Sequence, residues 1–162
     1  MFTNATYGGS VYMASSASLP DGAYLERIGT VAYLTSSVEW TILGDIPRLG
    51  DRLPPTINLN DLAGKTTGKI GRLLSRYAPQ VAEPGLAAYL TAAGDALTEI
   101  ADMRNTVLHA RPATQPDGRQ RLYRWLPSGS SLFVIDEVLD RMIGRIDELH
   151  LAVLQRRQQA NL

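Results

Sequence analysis

Apolar side chains return at helical spacing along most of this chain. Between positions 21 and 46, Leu25, Ile28, Val31, Ala32, Leu34, Val38 and Ile42 recur every three to four residues, the period that gives an α-helix one apolar face. Asp21 stands where an N-cap is wanted, and Pro47 is expected to end this helix after about six turns. Residues 50–61, with Pro54-Pro55, read as a loop. A shorter helix is expected over 66–78 on Ile70, Leu73, Leu74 and Tyr77, weakened by Gly68 and Gly71 and closed by Pro79. A third runs over 84–110, with Pro84 in its first turn and Leu86, Tyr89, Leu90, Ala93, Leu97, Ile100, Met103, Val107 and Leu108 as its apolar set. Pro112 stops it, because the residue before a proline is pushed out of helical dihedrals.

The period then changes. Pro116-Asp117-Gly118 is a turn signal and residues 122–126 look extended, so a small hairpin or an ordered loop is expected over 114–126. Residues 128–131 offer several serine N-caps for a last helix over 132–158. Its core positions would be Phe133, Ile135, Val138, Leu139, Met142, Ile143, Ile146, Leu149, Val153 and Leu154. Residues 1–20 show no apolar period and are expected to be a flexible arm. The pattern predicts an all-α fold over 21–158: an up-and-down bundle of four main helices with a short β-like insertion between the third and the fourth.

Composition narrows the function classes. At 162 residues, 44% hydrophobic and 20% charged, the chain fits one domain with a self-sufficient core. It holds no cysteine, which excludes a disulfide scaffold, a thiolate metal site and a cysteine nucleophile. No segment approaches the roughly 18 apolar residues of a membrane span, and no secretory signal opens the chain, so a cytoplasmic protein is expected. Sixteen basic residues balance sixteen acidic ones, which argues against a dedicated duplex-DNA binder. The charge is nevertheless uneven. Residues 104–126 hold Arg104, Arg111, Arg119, Arg121 and Arg124 against Asp117 alone, a surplus of four positive charges. Residues 131–150 hold five acids against Arg141 and Arg145, a surplus of three negative charges.

The surplus of cations lies at the end of the third helix, where Arg104, Asn105 and His109 stand close together. At about 100° per residue, Asp102, Asn105 and His109 fall within about 60° of one another, with Arg104 to one side and within reach through its long side chain. A fixed cation, an amide and a group that titrates near neutrality can act on a phosphodiester without a metal. The structural alternative is that His109 sits favourably at a helix C-terminus while Arg104 caps carbonyls. His150, between Leu149 and Leu151, reads as structural. Asp136-Glu137 and Asp147-Glu148 read as solvated faces, and no acid is arranged with a histidine as a metal site. Gly64-Lys65-Thr66 lacks the preceding glycine of a phosphate-binding loop. No cofactor is expected.

Arg104-Asn105-Thr106-Val107-Leu108-His109 resembles the motif of the HEPN superfamily of helical bundles: an arginine, a polar residue, then a histidine after a short gap. Its setting is similar too, at the end of a long third helix followed by an insertion and a closing helix. Val38-Glu39-Trp40 and the segment 67–74 resemble the corresponding parts of bacterial HEPN proteins. The resemblance covers about residues 21–158. It implies a metal-independent endoribonuclease, of the kind found as toxins or phage-defence effectors, acting as a homodimer with two motifs facing each other across a two-fold axis. Carried over by residue, His109 would be the acid/base group on the ribose 2′-hydroxyl or the leaving 5′-oxygen. Arg104 would hold the scissile phosphate, and Asn105 would orient the phosphate or the histidine.

Arg111, Arg119, Arg121 and Arg124 would track the RNA backbone and Asp102 would join the substrate-binding residues, with Tyr123 and Trp125 stacking on unpaired bases. An equally open reading has Tyr123 and Trp125 packing the insertion onto the bundle. Relatives silenced by a nucleotidyltransferase antitoxin carry a tyrosine two residues after the histidine. Arg111 stands there, so an antitoxin protein would have to act by other means. Many HEPN domains cut nothing, and the second reading is a catalytically inactive helical protein that binds RNA, a nucleotide or a protein partner.

Overall fold

A computed structural model describes residues 18–126 and 128–162. All but the last three residues of the expected N-terminal arm lie outside the described residues. The rest is mostly helical, with five helices and one three-stranded antiparallel sheet. Among the described residues no helix is long and apolar enough to cross a membrane.

Helix α1 spans Gly22–Leu49. Asp21 caps it, its carboxylate accepting the Tyr24 amide at 2.9 Å. That hydrogen bond, and then the Arg121 guanidinium, hold the Asp21 carboxyl below the usual carboxylate range. Tyr24, Val31, Val38, Ile42, Ile46 and Leu49 form the buried stripe. The helix therefore continues past Pro47, where the sequence pattern placed its end. Pro47 removes only one donor, and burying Ile46 and Leu49 on the far side of the turn outweighs that loss. Gly50, at φ +48°, is what releases the chain from the helix.

The expected loop over 50–61 contains α2, Leu59–Ala63. Asn58 caps it by accepting the Asp61 amide at 2.9 Å, while its own amide donates to the Asp61 carboxylate at 2.7 Å. This reciprocal pair resembles a capping box, with the Asn58 side-chain amide donating in place of its backbone N–H, and apolar periodicity does not reveal it. Leu53, Ile57 and Leu62 are buried and tie the segment to the core.

Helix α3, Thr67–Tyr77, lies antiparallel along α4, Pro84–Leu108. Gly71 is not a weakness here. A Cβ at Gly71 would stand 2.6 Å from the Gly94 carbonyl oxygen, and one at Gly94 would stand 2.7 Å from the Gly71 carbonyl. The two backbones touch at a glycine–glycine crossing. Helix α4 is the central helix, packed against α1, α3 and α5. It ends two residues earlier than its apolar pattern implied, with His109 as C-cap and Ala110 outside.

The insertion is a meander: β1, Arg111–Thr114, pairs with β2, Gln120–Trp125, which pairs with β3, Ser131–Val134. The last helix, α5, spans Asp136–Gln159 and so begins four residues later than expected. Phe133 stands in a strand opposite Tyr123 rather than on a helix face. A short apolar run fits either state, and here the open edge of β2 took Leu132, Phe133 and Val134 into the sheet while Ile135 precedes α5. The Tyr24 hydroxyl fixes the sheet to α1, donating to the Val134 carbonyl at 2.5 Å and accepting from the Leu122 amide at 3.0 Å. Burial pushes that phenol's pKa up.

Helices α1 and α5 run in the same direction. They are joined near their starts by Arg27–Asp140 at 2.7 Å and near their ends by Arg157–Asp45 at 2.8 Å. Helix α4 runs against both. Strict up-and-down order therefore holds for α1, α4 and α5, but α3 shares the direction of α1, because residues 50–66 carry the chain back before α3 begins.

Candidate phosphodiester site

The last two turns of α4 bury Ile100, Ala101 and Val107 and turn their polar residues toward the start of α3. Asp102, Arg104, Asn105 and His109 line one side of a recess of about 260 Å³, and Thr66, Gly68 and Arg72 of the α3 end line the other. His109 is exposed at the helix cap, and its amide donates to the Asn105 carbonyl at 3.1 Å. Arg104 is half-buried. Its Nη1 donates to the Thr67 hydroxyl at 3.2 Å and its Nη2 to the Asn105 side-chain oxygen at 3.3 Å, while its Nε is buried without a partner.

Thr67, 1% exposed, donates in turn to the Glu39 carboxylate of α1. A relay thus runs from Glu39 through Thr67 to the Arg104 guanidinium, and three helices fix the cation's direction. Thr66 makes no side-chain cap, so the positive end of the α3 dipole opens on the same recess. Two guanidiniums, an uncapped helix start and an exposed imidazole suit a phosphate with a titratable group beside it. Among the described residues, no three His, Asp or Glu side chains gather as a metal-ligand set.

The residues of the insertion are used differently from one another. Arg111 is exposed and has no ion-pair partner among the described residues. Arg119 is tied to Asp117 across its own turn at 2.7 Å. Arg121, 3% exposed, bonds Asp21 and Asp136 at 2.8 Å each and lies 4.3 Å above the Tyr24 ring. It clamps the sheet between the starts of α1 and α5 and is removed from any substrate, a role its place in a run of arginines did not signal. Asp136, read from the sequence as part of a solvated face, is its partner. Arg124 donates to the Asn105 carbonyl, so it steadies the end of α4.

Tyr123 packs edge-on against Trp125, with centroids 5.6 Å apart, and against Phe133 at 4.9 Å. The rings hold one another on the sheet, and Trp125 keeps 64% of its surface exposed. His150 is half-buried on α5, outside this site.

Arg72 lines the recess and Glu39 and Thr67 support its Arg104 from behind, and sequence reading assigned none of the three to the site. One signal was present. Between Arg27 and Arg48, α1 carries only two charges, Glu39 and Asp45, and each serves a partner on another helix. Comparison with protein-family models, with curated proteins and with solved structures finds no match to this chain.

Proposed function

We propose that the chain is a metal-independent endoribonuclease of HEPN type, with α1, α3, α4 and α5 as the four helices of that bundle. The observation that carries this reading is the shared recess: Arg104, Asn105 and His109 meet there, with Arg104 held by Thr67 and Glu39. In the proposed reaction His109 takes the proton of a ribose 2′-hydroxyl, whose oxygen attacks the adjacent phosphorus. A new P–O2′ bond forms, the P–O5′ bond breaks, and the leaving 5′-oxygen receives a proton from an imidazolium. Arg104 meets the negative charge that builds on the non-bridging oxygens, with the α3 dipole behind it. The products are a 2′,3′-cyclic phosphate and a free 5′-hydroxyl, so DNA is not a substrate.

That imidazolium is supplied by a homodimer in which two recesses face each other across a two-fold axis. Exposed His109 and exposed Leu108 at the end of α4 support such a pairing. A cytoplasmic role in toxin–antitoxin control or phage defence, with a separate antitoxin protein, follows from this reading.

The test is incubation of the purified protein with mixed cellular RNA in EDTA, beside His109→Ala and Arg104→Ala. Cleavage by the wild type alone, leaving cyclic-phosphate ends, is the expected result. Cleavage that survives both substitutions, or none by a folded dimer on any RNA, would overturn it in favour of another site or of a non-catalytic binding protein.

A further inference from the structure

Both lysines of the chain, Lys65 and Lys69, lie on or just before α3, and Arg72 and Arg76 continue their line at helical spacing. At about 100° per residue the last three fall within about 60° of one another, spanning about 10 Å of helix axis, with Lys65 one turn further back. All four are exposed, and none has an ion-pair partner among the described residues. Lys65 donates only to the Asp61 carbonyl, and Arg76 lies 5.7 Å from the Tyr77 ring.

Together with Leu73 these four cations line a groove of about 510 Å³ with no acid in it. The other flank of Arg72 and Arg76 differs. There Asp95, Glu99 and Asp102 of α4 stand beside Ser75 and Thr98, with Glu99 bound to Arg145 at 2.7 Å and Asp95 accepting from Ser75. Arg72 also lines the recess of Arg104 and His109.

We infer that the α3 groove is the track along which the single-stranded RNA backbone leaves the recess, resting on the ribonuclease reading above. The arginines of the insertion had been the expected track, but Arg121 and Arg119 are spent on carboxylates and Arg124 on a carbonyl. Arg111 alone of the insertion stays free, whereas four free cations stand in line at the start of and along α3. A narrow, one-sided stripe suits a flexible strand, which can follow the cation-only side and keep clear of the α4 acids. A duplex or a flat anionic membrane would meet those acids as well. Leu73 offers an apolar contact for a base while the phosphates follow Lys65, Lys69 and Arg76.

The probe is a fluorescein-labelled 2′-O-methyl oligouridylate about a dozen nucleotides long, which cannot be cut and whose length fits the usual single-strand site. Its affinity for the wild-type protein is measured by anisotropy across a salt series, beside the triple variant Lys65→Gln, Lys69→Gln, Arg76→Gln and the control Arg119→Gln. The triple variant is expected to bind at least about ten-fold more weakly at low salt. Its log–log salt slope is expected to fall by about two, at about 0.7 per lost phosphate contact. The control is expected to match the wild type.

Unchanged affinity and slope in the folded triple variant, or no binding by the wild type, would overturn the track. An equal loss of binding to polyglutamate would overturn it in favour of an acidic protein partner. The track and the nuclease fail separately: stripe-dependent binding without cleavage of natural RNA removes the enzyme and keeps the track. Full cleavage of long RNA by the triple variant removes the track and keeps the enzyme.

Discussion

Arg104 owes its direction to residues far from it in sequence. Its bond to Thr67 would turn freely if the threonine hydroxyl were not itself committed to Glu39. A carboxylate acceptor fixes that hydroxyl's hydrogen on one side and leaves its lone pairs for the guanidinium, and a hydrogen bond to a charged group is worth about 1.5–3 kcal/mol. On the proposed ribonuclease reading, Glu39→Gln is therefore expected to lower kcat/KM for RNA cleavage about ten-fold while the unfolding midpoint stays nearly constant. Unaltered cleavage kinetics in that variant would show that Arg104 needs no support from α1. The insertion makes the opposite point. Four arginines close in sequence look equivalent, yet one is buried between two carboxylates, one holds a helix end, one closes its own turn and only Arg111 stays free. Residue type announced a cation at each position. Only the neighbours decided whether that cation was free.

At the scale of elements, the contact between α3 and α4 places Thr67 and Arg72 beside the end of α4. It depends on Gly71 and Gly94, where a Cβ on either helix would press on the other's backbone. Gly71→Ala is expected to force the helices apart and lower stability by about 1–3 kcal/mol, read from urea unfolding. It should also lower cleavage at temperatures where the variant remains folded, because the recess lies between these two helices. A neutral or stabilising effect would mean that the crossing can relax. The glycines were visible from the outset, but a glycine in a helical pattern reads as a weakness until the facing helix is known. The third strand has a similar history. Leu132, Phe133 and Val134 fit a helix face as well as a strand, and the partner strand decided between them.

At the scale of the whole molecule, one buried carboxylate joins three helices. Asp45, 1% exposed, accepts from the Tyr89 hydroxyl of α4 at 2.8 Å and from Arg157 of α5 at 2.8 and 2.9 Å. Burial, and then the nearby Asp45 charge, push the Tyr89 phenol's pKa well up, so it stays a donor. At the other end Arg121 performs the matching task between α1, the sheet and α5. Asp45→Ala strands the buried Tyr89 hydroxyl and leaves the half-buried Arg157 guanidinium without its partner, and is expected to cost about 3 kcal/mol, the low end for breaking a buried pair. Calorimetry checks this, and a loss below about 1 kcal/mol, no more than an exposed pair contributes, would show that water replaces the carboxylate.

The chain by itself determined the four main helices, though not α2, and the residue types available at the end of α4, because apolar period, caps and prolines act within a few residues. Asp21, Pro84 and Pro112 mark boundaries that stand in the structure to within a few residues. It also determined that an arginine, an amide and a histidine sit within two turns. Tertiary structure decided which charges are spent and which are free. It brought Glu39, Thr67 and Arg72 to that motif, and it engaged every arginine of the insertion but Arg111 while leaving the α3 cations open. Periodicity reports one face of one helix. The free energy of a charge depends on what the facing helix brings, and that contact spans dozens of residues.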